Sequence, residues 1–187
     1  TDEVTELARS LAISPGKSQF VSAISAASGE SVEELAKLTG ARVYIGDGEK
    51  ELIHDTDANL SSQYHNPKTV QPDVFLRDGE TVEIAGMTIR CIQTPGHTEG
   101  SCCYYIEETG EEEKGNAGKK PCPPILLSGD TLFEESVGRT DFPTGSMSAL
   151  VRSVREKLFI LPDETLVYPG HGGMTQIGHE KQYNAMV

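Results

Sequence analysis

The chain has 187 residues, 36% hydrophobic and 24% charged, which suffices for one ordinary globular domain with its own core and excludes a fibrous or wholly disordered protein. Its 29 acidic and 16 basic side chains leave a net charge of −13, which argues against nucleic acid, whose phosphates a partner must neutralise. No apolar run approaches the length of about 18 residues that a membrane span needs, and no basic-then-apolar start reads as a signal peptide; no membrane partner is expected, and the compartment expected is the cytoplasm.

The chain begins at Thr1 rather than Met and so reads as processed or as part of something longer. Val4, Leu7, Ala8 and Leu11 at helical spacing predict a short amphipathic helix over 2–11, and the Ser-, Ala- and Gly-rich stretch after it has no clear period. Ser31 and Glu34 form a capping box, so a helix follows and stops at Gly40, with a strand over Arg42 to Ile45. A helical turn is expected over Glu49 to His54, then a long polar connection from Asp55 to Asp73. Thr81 to Ile84 and Met87 to Gln93 alternate apolar and polar around Ala85-Gly86, which predicts a hairpin. Strands at Ser101 to Ile106 and Ile125 to Ser128 flank a polar insert, 107–124. Met147, Leu150, Val151, Val154 and Leu158 give a helix over Ser146 to Leu158 with one buried face. A last strand at Thr165 to Tyr168 and a terminal helix at His179 to Asn184 complete a mixed sheet covered by helices, an α/β fold. The four cysteines form no CxxC pair and read as reduced thiols, with Cys102 and Cys103 on opposite faces of one strand.

Three polar residues share one context. His97, Asp130 and His171 each follow a glycine directly after a predicted strand, so each side chain can project from a sheet edge toward a common point. Two imidazoles and a carboxylate are a donor set that zinc, iron or manganese accepts.

The runs Thr94-Pro-Gly-His-Thr-Glu-Gly-Ser101, Leu127-Ser-Gly-Asp-Thr-Leu-Phe133, Val137-Gly-Arg-Thr-Asp-Phe-Pro143 and Tyr168-Pro-Gly-His-Gly172 together resemble the metallo-β-lactamase superfamily, and within it the small glyoxalase II-like (hydroxyacylglutathione hydrolase-like) enzymes. The resemblance runs from Val32 to the C-terminus. It implies an αββα sandwich, with residues 1–187 as one domain and the metal site at one edge of its two sheets. It also implies that His97, Asp130 and His171 are metal ligands, with Asp130 catalytic as the group that bridges two metals in the family. The activity implied is hydrolysis of a small-molecule thioester or related ester.

The family's His-x-His-x-Asp-His motif is absent, since no His precedes His54. The nearest placement, Ser14 to Phe20, sets Pro15, Lys17, Gln19 and Phe20 where the four ligands belong. The stretch 12–31 is therefore atypical for the family, and the abrupt change reads as a block replaced, spliced or read in another frame. The opening strands also have no counterpart before Asp2, which would expose a sheet edge and favour a homodimer. The cofactor expected is zinc, iron or manganese, at most one ion, or none if the site is a relic. His54 and His65 read as solvated histidines that could supply a fourth ligand, and His179 as structural. Arg139 with Asp141 reads either as a substrate-binding loop at the site entrance or as a salt-linked turn. Tyr183 with Asn184 reads either as pocket lining or as helix packing. Two functions stay open: a metal-dependent hydrolase with a depleted site, and a non-catalytic relative serving as a binding or structural module.

Overall fold

The structure is a computed structural model that describes residues 36, 40–57, 62, 69–84, 86–107 and 123–187. The expected helix over 2–11, the atypical stretch 12–31, His65 and nearly all of the insert 107–124 lie outside the described residues. Of the helix that Gly40 should stop, Ala36 is helical, and Gly40, at φ 68°, donates its N–H to the Ala36 carbonyl at 2.8 Å. A left-handed glycine is the common way to end a helix.

Strand β1 (Tyr44–Gly46) pairs in parallel with β2 (Val74–Leu76), a short strand that no sequence signal announced. Asp73 fastens the pair, its carboxylate accepting from Val43 N at 2.7 Å and its own N–H donating to Val43 O at 2.8 Å. The expected turn over Glu49 to His54 resolves into two tight 3₁₀ turns, Asp47–Glu49 and Leu52–His54. The hairpin forms as the alternation predicts: β3 (Thr81–Ile84) pairs with β4 (Met87–Gln93), setting Val82 opposite Ile89.

These two strands open a six-stranded sheet that continues through β5 (Cys102–Ile106) and β6 (Ile125–Gly129). After β6 come a small hairpin, β7 (Leu132–Phe133) and β8 (Ser136–Val137), then helix α1 (Met147–Ser153). Ser146 caps α1, accepting from Ala149 N at 3.3 Å, and the last residues of the expected helix, Val154–Leu158, widen into a π turn. Strands β9 (Leu166–Pro169) and β10 (Thr175–Gln176) finish the sheet, and the last helix, α2 (Ile177–Tyr183), begins two residues and ends one residue earlier than expected. The spatial order is β10-β9-β6-β5-β4-β3.

Each face of the sheet carries its own core. One face packs Ile92, Cys103, Leu126 and Val167 against Val154 and Leu158 of the π turn and Ile177 of α2. The other packs Ile89, Cys91, Tyr104 and Leu127 against Tyr44 of β1 and Leu76 of β2. Cys102 and Cys103 fall on opposite faces, as strand alternation requires. Helices thus cover one face and the β1–β2 pair covers the other, the layering of an α/β sandwich. Among the described residues no helix is long and apolar enough to cross a membrane.

Candidate metal centre

Strand β5 runs antiparallel to both β4 and β6, and β6 runs parallel to β9, so β4, β6 and β9 share one direction. Their C-terminal ends meet at one sheet edge, where His97, Asp130 and His171 follow them. The strand ends are tied together below these residues. The buried hydroxyls of Thr94 and Thr131 lie 3.0 Å apart, and Gly170 N donates to Gly129 O at 2.8 Å.

Asp130 sits in the middle of the three. Its Oδ2 lies 3.7 Å from His97 Nε2, and its Oδ1 lies 3.9 Å from His171 Nε2. His97 Nδ1 is 2.8 Å from the Arg139 carbonyl. A carbonyl can only accept, so Nδ1 carries a proton, and Nε2, which faces Asp130, is the nitrogen left for a metal. A backbone partner on the far nitrogen is how ligating histidines are oriented. The Phe142 ring meets His97 edge-on at 4.9 Å, and Phe133 lies against His171 with ring centroids 4.6 Å apart. Exposure differs sharply: the His97 side chain is 18% accessible and that of His171 is 74%.

Glycines make this convergence sterically possible. A Cβ on Gly170 would fall 2.5 Å from Asp130 Oδ1, and one on Gly138 would fall 1.8 Å from the Asp130 carbonyl oxygen and 3.3 Å from His97 Nδ1. Gly96, at φ 149°, lets the His97 loop lie against α1, where any Cβ would sit 2.4 Å from Leu150 Cα. The helix holds that loop with Ser146 N donating to Gly96 O at 2.7 Å and Ser153 Oγ to Pro95 O at 2.8 Å.

The donor set fits a divalent cation. With bonds near 2.1 Å, two ligands of a tetrahedral zinc stand about 3.4 Å apart. The 3.7 and 3.9 Å separations are a few tenths wider, and among the described residues no three His, Cys, Asp or Glu side chains close into a finished cluster. The site is thus two histidine–aspartate pairs sharing one carboxylate.

The remaining candidates sit apart from this group or serve it indirectly. Arg139 gives Asp141 a two-pronged contact, both bonds 2.6 Å, and its guanidinium lies 4.7 Å over the Phe142 ring. A substrate role for that side chain would require it to leave Asp141; the Arg139 carbonyl is bonded to His97. Tyr183 stacks on His179 at 4.8 Å, and His179 Nε2 reaches Glu135 at 3.1 Å, so Tyr183 belongs to a cluster on α2 and the β7–β8 turn. His54 is exposed on its own turn. Phe133, the last residue of the Leu127–Phe133 run, supplies the ring against His171, and one contributor had no sequence signal of its own: Glu49, bonded to the hydroxyl of Thr98. The glycine of the Gly138-Arg139 run was visible, but not the reason for it.

Comparison with known proteins places the chain. The crystal structure of the B3 metallo-β-lactamase BLEG-1 superposes with a TM-score of 0.68 at 32% identity, covering 82% of this chain and 68% of that one. TTHA1623, crystallised in a di-iron-bound form, gives a TM-score of 0.61 at 28% identity, over 83% of this chain and 69% of that one. Hydroxyacylglutathione hydrolase GloC of Haemophilus influenzae is 36% identical over 110 residues, 59% of this chain and 45% of that protein. No protein-family profile matches. With the fold, the strand-end positions and these likenesses in agreement, the chain belongs to the metallo-β-lactamase superfamily.

Proposed function

We propose that the chain is a metal-dependent hydrolase of glyoxalase II-like type, acting on a thioester or related ester with one cation held by His97, Asp130 and His171. One observation carries the reading: two imidazole Nε2 atoms from different strand ends face the two oxygens of one carboxylate, at 3.7 and 3.9 Å. The likeness to a hydroxyacylglutathione hydrolase supports the substrate class, and the di-iron-bound relative supports a first-row transition metal.

A bound cation supplies polarisation of a substrate carbonyl and a lowered pKa for water. The chain does the rest. The Arg139 carbonyl keeps the proton of His97 on Nδ1 and its Nε2 free to bind. Asp130 brings the negative charge that a divalent ion requires. His171 leaves its side of the site open to solvent and substrate, with Phe133 covering one flank of the ring.

A second reading, a non-catalytic module of the same fold, is favoured by one feature, the lack of any His before His54. Elemental mass spectrometry decides between them, on protein prepared without chelator and on the Asp130→Ala/His171→Ala double variant. About one equivalent of zinc, iron or manganese in the parent and none in the variant supports the hydrolase and leads to a thioester screen. No metal in either leaves the module.

A further inference from the structure

The loop Thr94 to Ser101, which presents His97, is gripped from outside by the 3₁₀ turn Asp47–Glu49 that follows β1. Thr98, the next residue after His97, donates its hydroxyl to Glu49 Oε1. Ser101 completes the knot, its Oγ accepting from Thr98 N at 3.0 Å and donating to Thr98 Oγ1 at 2.7 Å. Within the loop, Thr94 N donates to Ser101 O at 2.7 Å and Gly96 N to Thr98 O at 2.8 Å. At its base, Asp47 Oδ1 accepts from Gln93 Nε2 at 2.7 Å.

Between these two ties, turn and loop touch backbone to backbone. A Cβ on Gly100 would lie 2.2 Å from the Gly48 carbonyl, and one on Gly48 would lie 2.8 Å from Gly100 Cα. Only glycine at both positions allows this approach. Glu49 is partly buried by it. Burial raises its pKa, against the opposing pull of the Thr98 hydrogen bond. A carboxyl group held in such a place at that cost indicates a task beyond solubility.

We infer that Glu49 is a positioning residue, which through Thr98 fixes the angle at which the Thr94–Ser101 loop presents His97 to Asp130. The inference rests on the metal-centre reading only in taking His97 as a ligand. Glu49 shares no hydrogen bond with His97 or Asp130; besides a Coulombic interaction with His97, which Glu49→Gln removes, it acts on the site through the loop.

The test compares the parent with Glu49→Gln, Glu49→Ala, Thr98→Val and His97→Ala. Zinc affinity is read by competition with a chromophoric chelator. The His97 ring nitrogens are followed by proton–nitrogen correlation spectra of the metal-free protein. Glu49→Ala and Thr98→Val are expected to weaken zinc binding roughly 10–100-fold, the usual scale for a lost supporting contact, and to shift the His97 nitrogen signals as the Arg139 bond loosens. Glu49→Gln keeps an acceptor oxygen for Thr98 and should stay with the parent on both readouts. Thr98→Val removes only a hydroxyl and serves where Glu49→Ala fails to fold. Parent-like affinity and parent-like signals in both variants overturn the inference, as does a Glu49→Gln loss equal to that of Glu49→Ala. If the parent binds no zinc, or His97→Ala binds it as the parent does, the metal reading is what fails. The His97 signals then decide the positioning role alone, shifted in its favour or unshifted against it.

Discussion

His97 Nδ1 and the carbonyl oxygen of Arg139 lie 2.8 Å apart, joining residues 42 positions distant in the chain. The bond takes nothing from the Arg139 side chain, whose guanidinium is engaged with Asp141. One residue thus orients the candidate ligand with its backbone while its side chain holds Asp141.

Arg139→Ala should separate the two roles. The hydrogen bond from Arg139, helped by its charge, holds the Asp141 carboxyl down at about 2, and the substitution should return it to the ordinary range near about 3.9. The His97 ring signals should stay where they are. A carbon-detected NMR titration beside the imidazole spectra reads both; a shifted His97 would mean that the side chain also holds the loop.

Gly138→Ala and Gly172→Ala form a matched pair. The first drives a methyl to within 1.8 Å of the Asp130 carbonyl oxygen, while the second, at φ 85°, meets nothing within 4 Å. Gly172→Ala should cost only the left-handed backbone strain, about 1–2 kcal/mol, and keep whatever metal the parent holds. Gly138→Ala should cost about 3 kcal/mol or more, because the obstructing atom is main chain, and should release the metal. Urea unfolding and elemental analysis of both variants check this.

What was legible in the sequence is what rests on local pattern. The helical period over Leu150, Val154 and Leu158 and the alternation across Val82, Ile84, Met87, Ile89 and Cys91 mark elements whose buried faces the structure shows, while Met147, counted in the same helical face, is exposed. The positions of His97, Asp130 and His171 stand out because a strand and a glycine precede each. Strand β2 was illegible because three residues are too few to show a period, and its partner β1 lies about thirty positions away. Glu49 was illegible for a related reason: its importance comes from the contact of Gly48 with Gly100, which no local pattern encodes.

Glu180 should prove the most sensitive carboxyl of the C-terminal part. It is fully buried and accepts from Thr175 Oγ1 at 2.5 Å, Asn184 Nδ2 at 2.8 Å and Glu135 N at 3.0 Å, tying α2 to β10 and the β7–β8 turn. Glu180→Ala removes the acceptor of all three donors, leaves the buried Thr175 hydroxyl without it and opens a cavity, and should cost about 3 kcal/mol or more. Glu180→Gln keeps the shape but turns an N–H toward other donors, for about 1–3 kcal/mol. Denaturant unfolding gives the order: parent, Gln, Ala.

Two carboxyl groups should bend the pH–stability curve in opposite directions. Burial raises the pKa of Glu49, so above its ordinary value of 4.5 the folded chain still holds a proton that the unfolded chain has released. Stability from this group therefore falls as pH rises through that window, and Glu49→Gln should flatten the fall. Burial would also raise Asp78, but the hydrogen bonds from Lys157 and from Gln93 N outweigh it and lower its pKa below 3.8. Here the unfolded chain takes up the proton first, so stability is present above 3.8 and is lost as pH falls through the native value. Asp78→Asn should flatten that acid limb. Urea midpoints measured from about pH 2.5 to about 7 resolve the two windows.

The parallel pairing of β6 with β9 sets Leu126 beside Val167, and only this pairing carries His171 to Asp130. Hairpins such as β3–β4 close over a few residues, whereas this contact must close a loop of about forty and so belongs to the slow part of folding. On loop length alone, the candidate chemistry is expected to form after the local hairpins. A cation that needs both partners would reward the finished sheet alone, acting as a check on completion as well as a reagent.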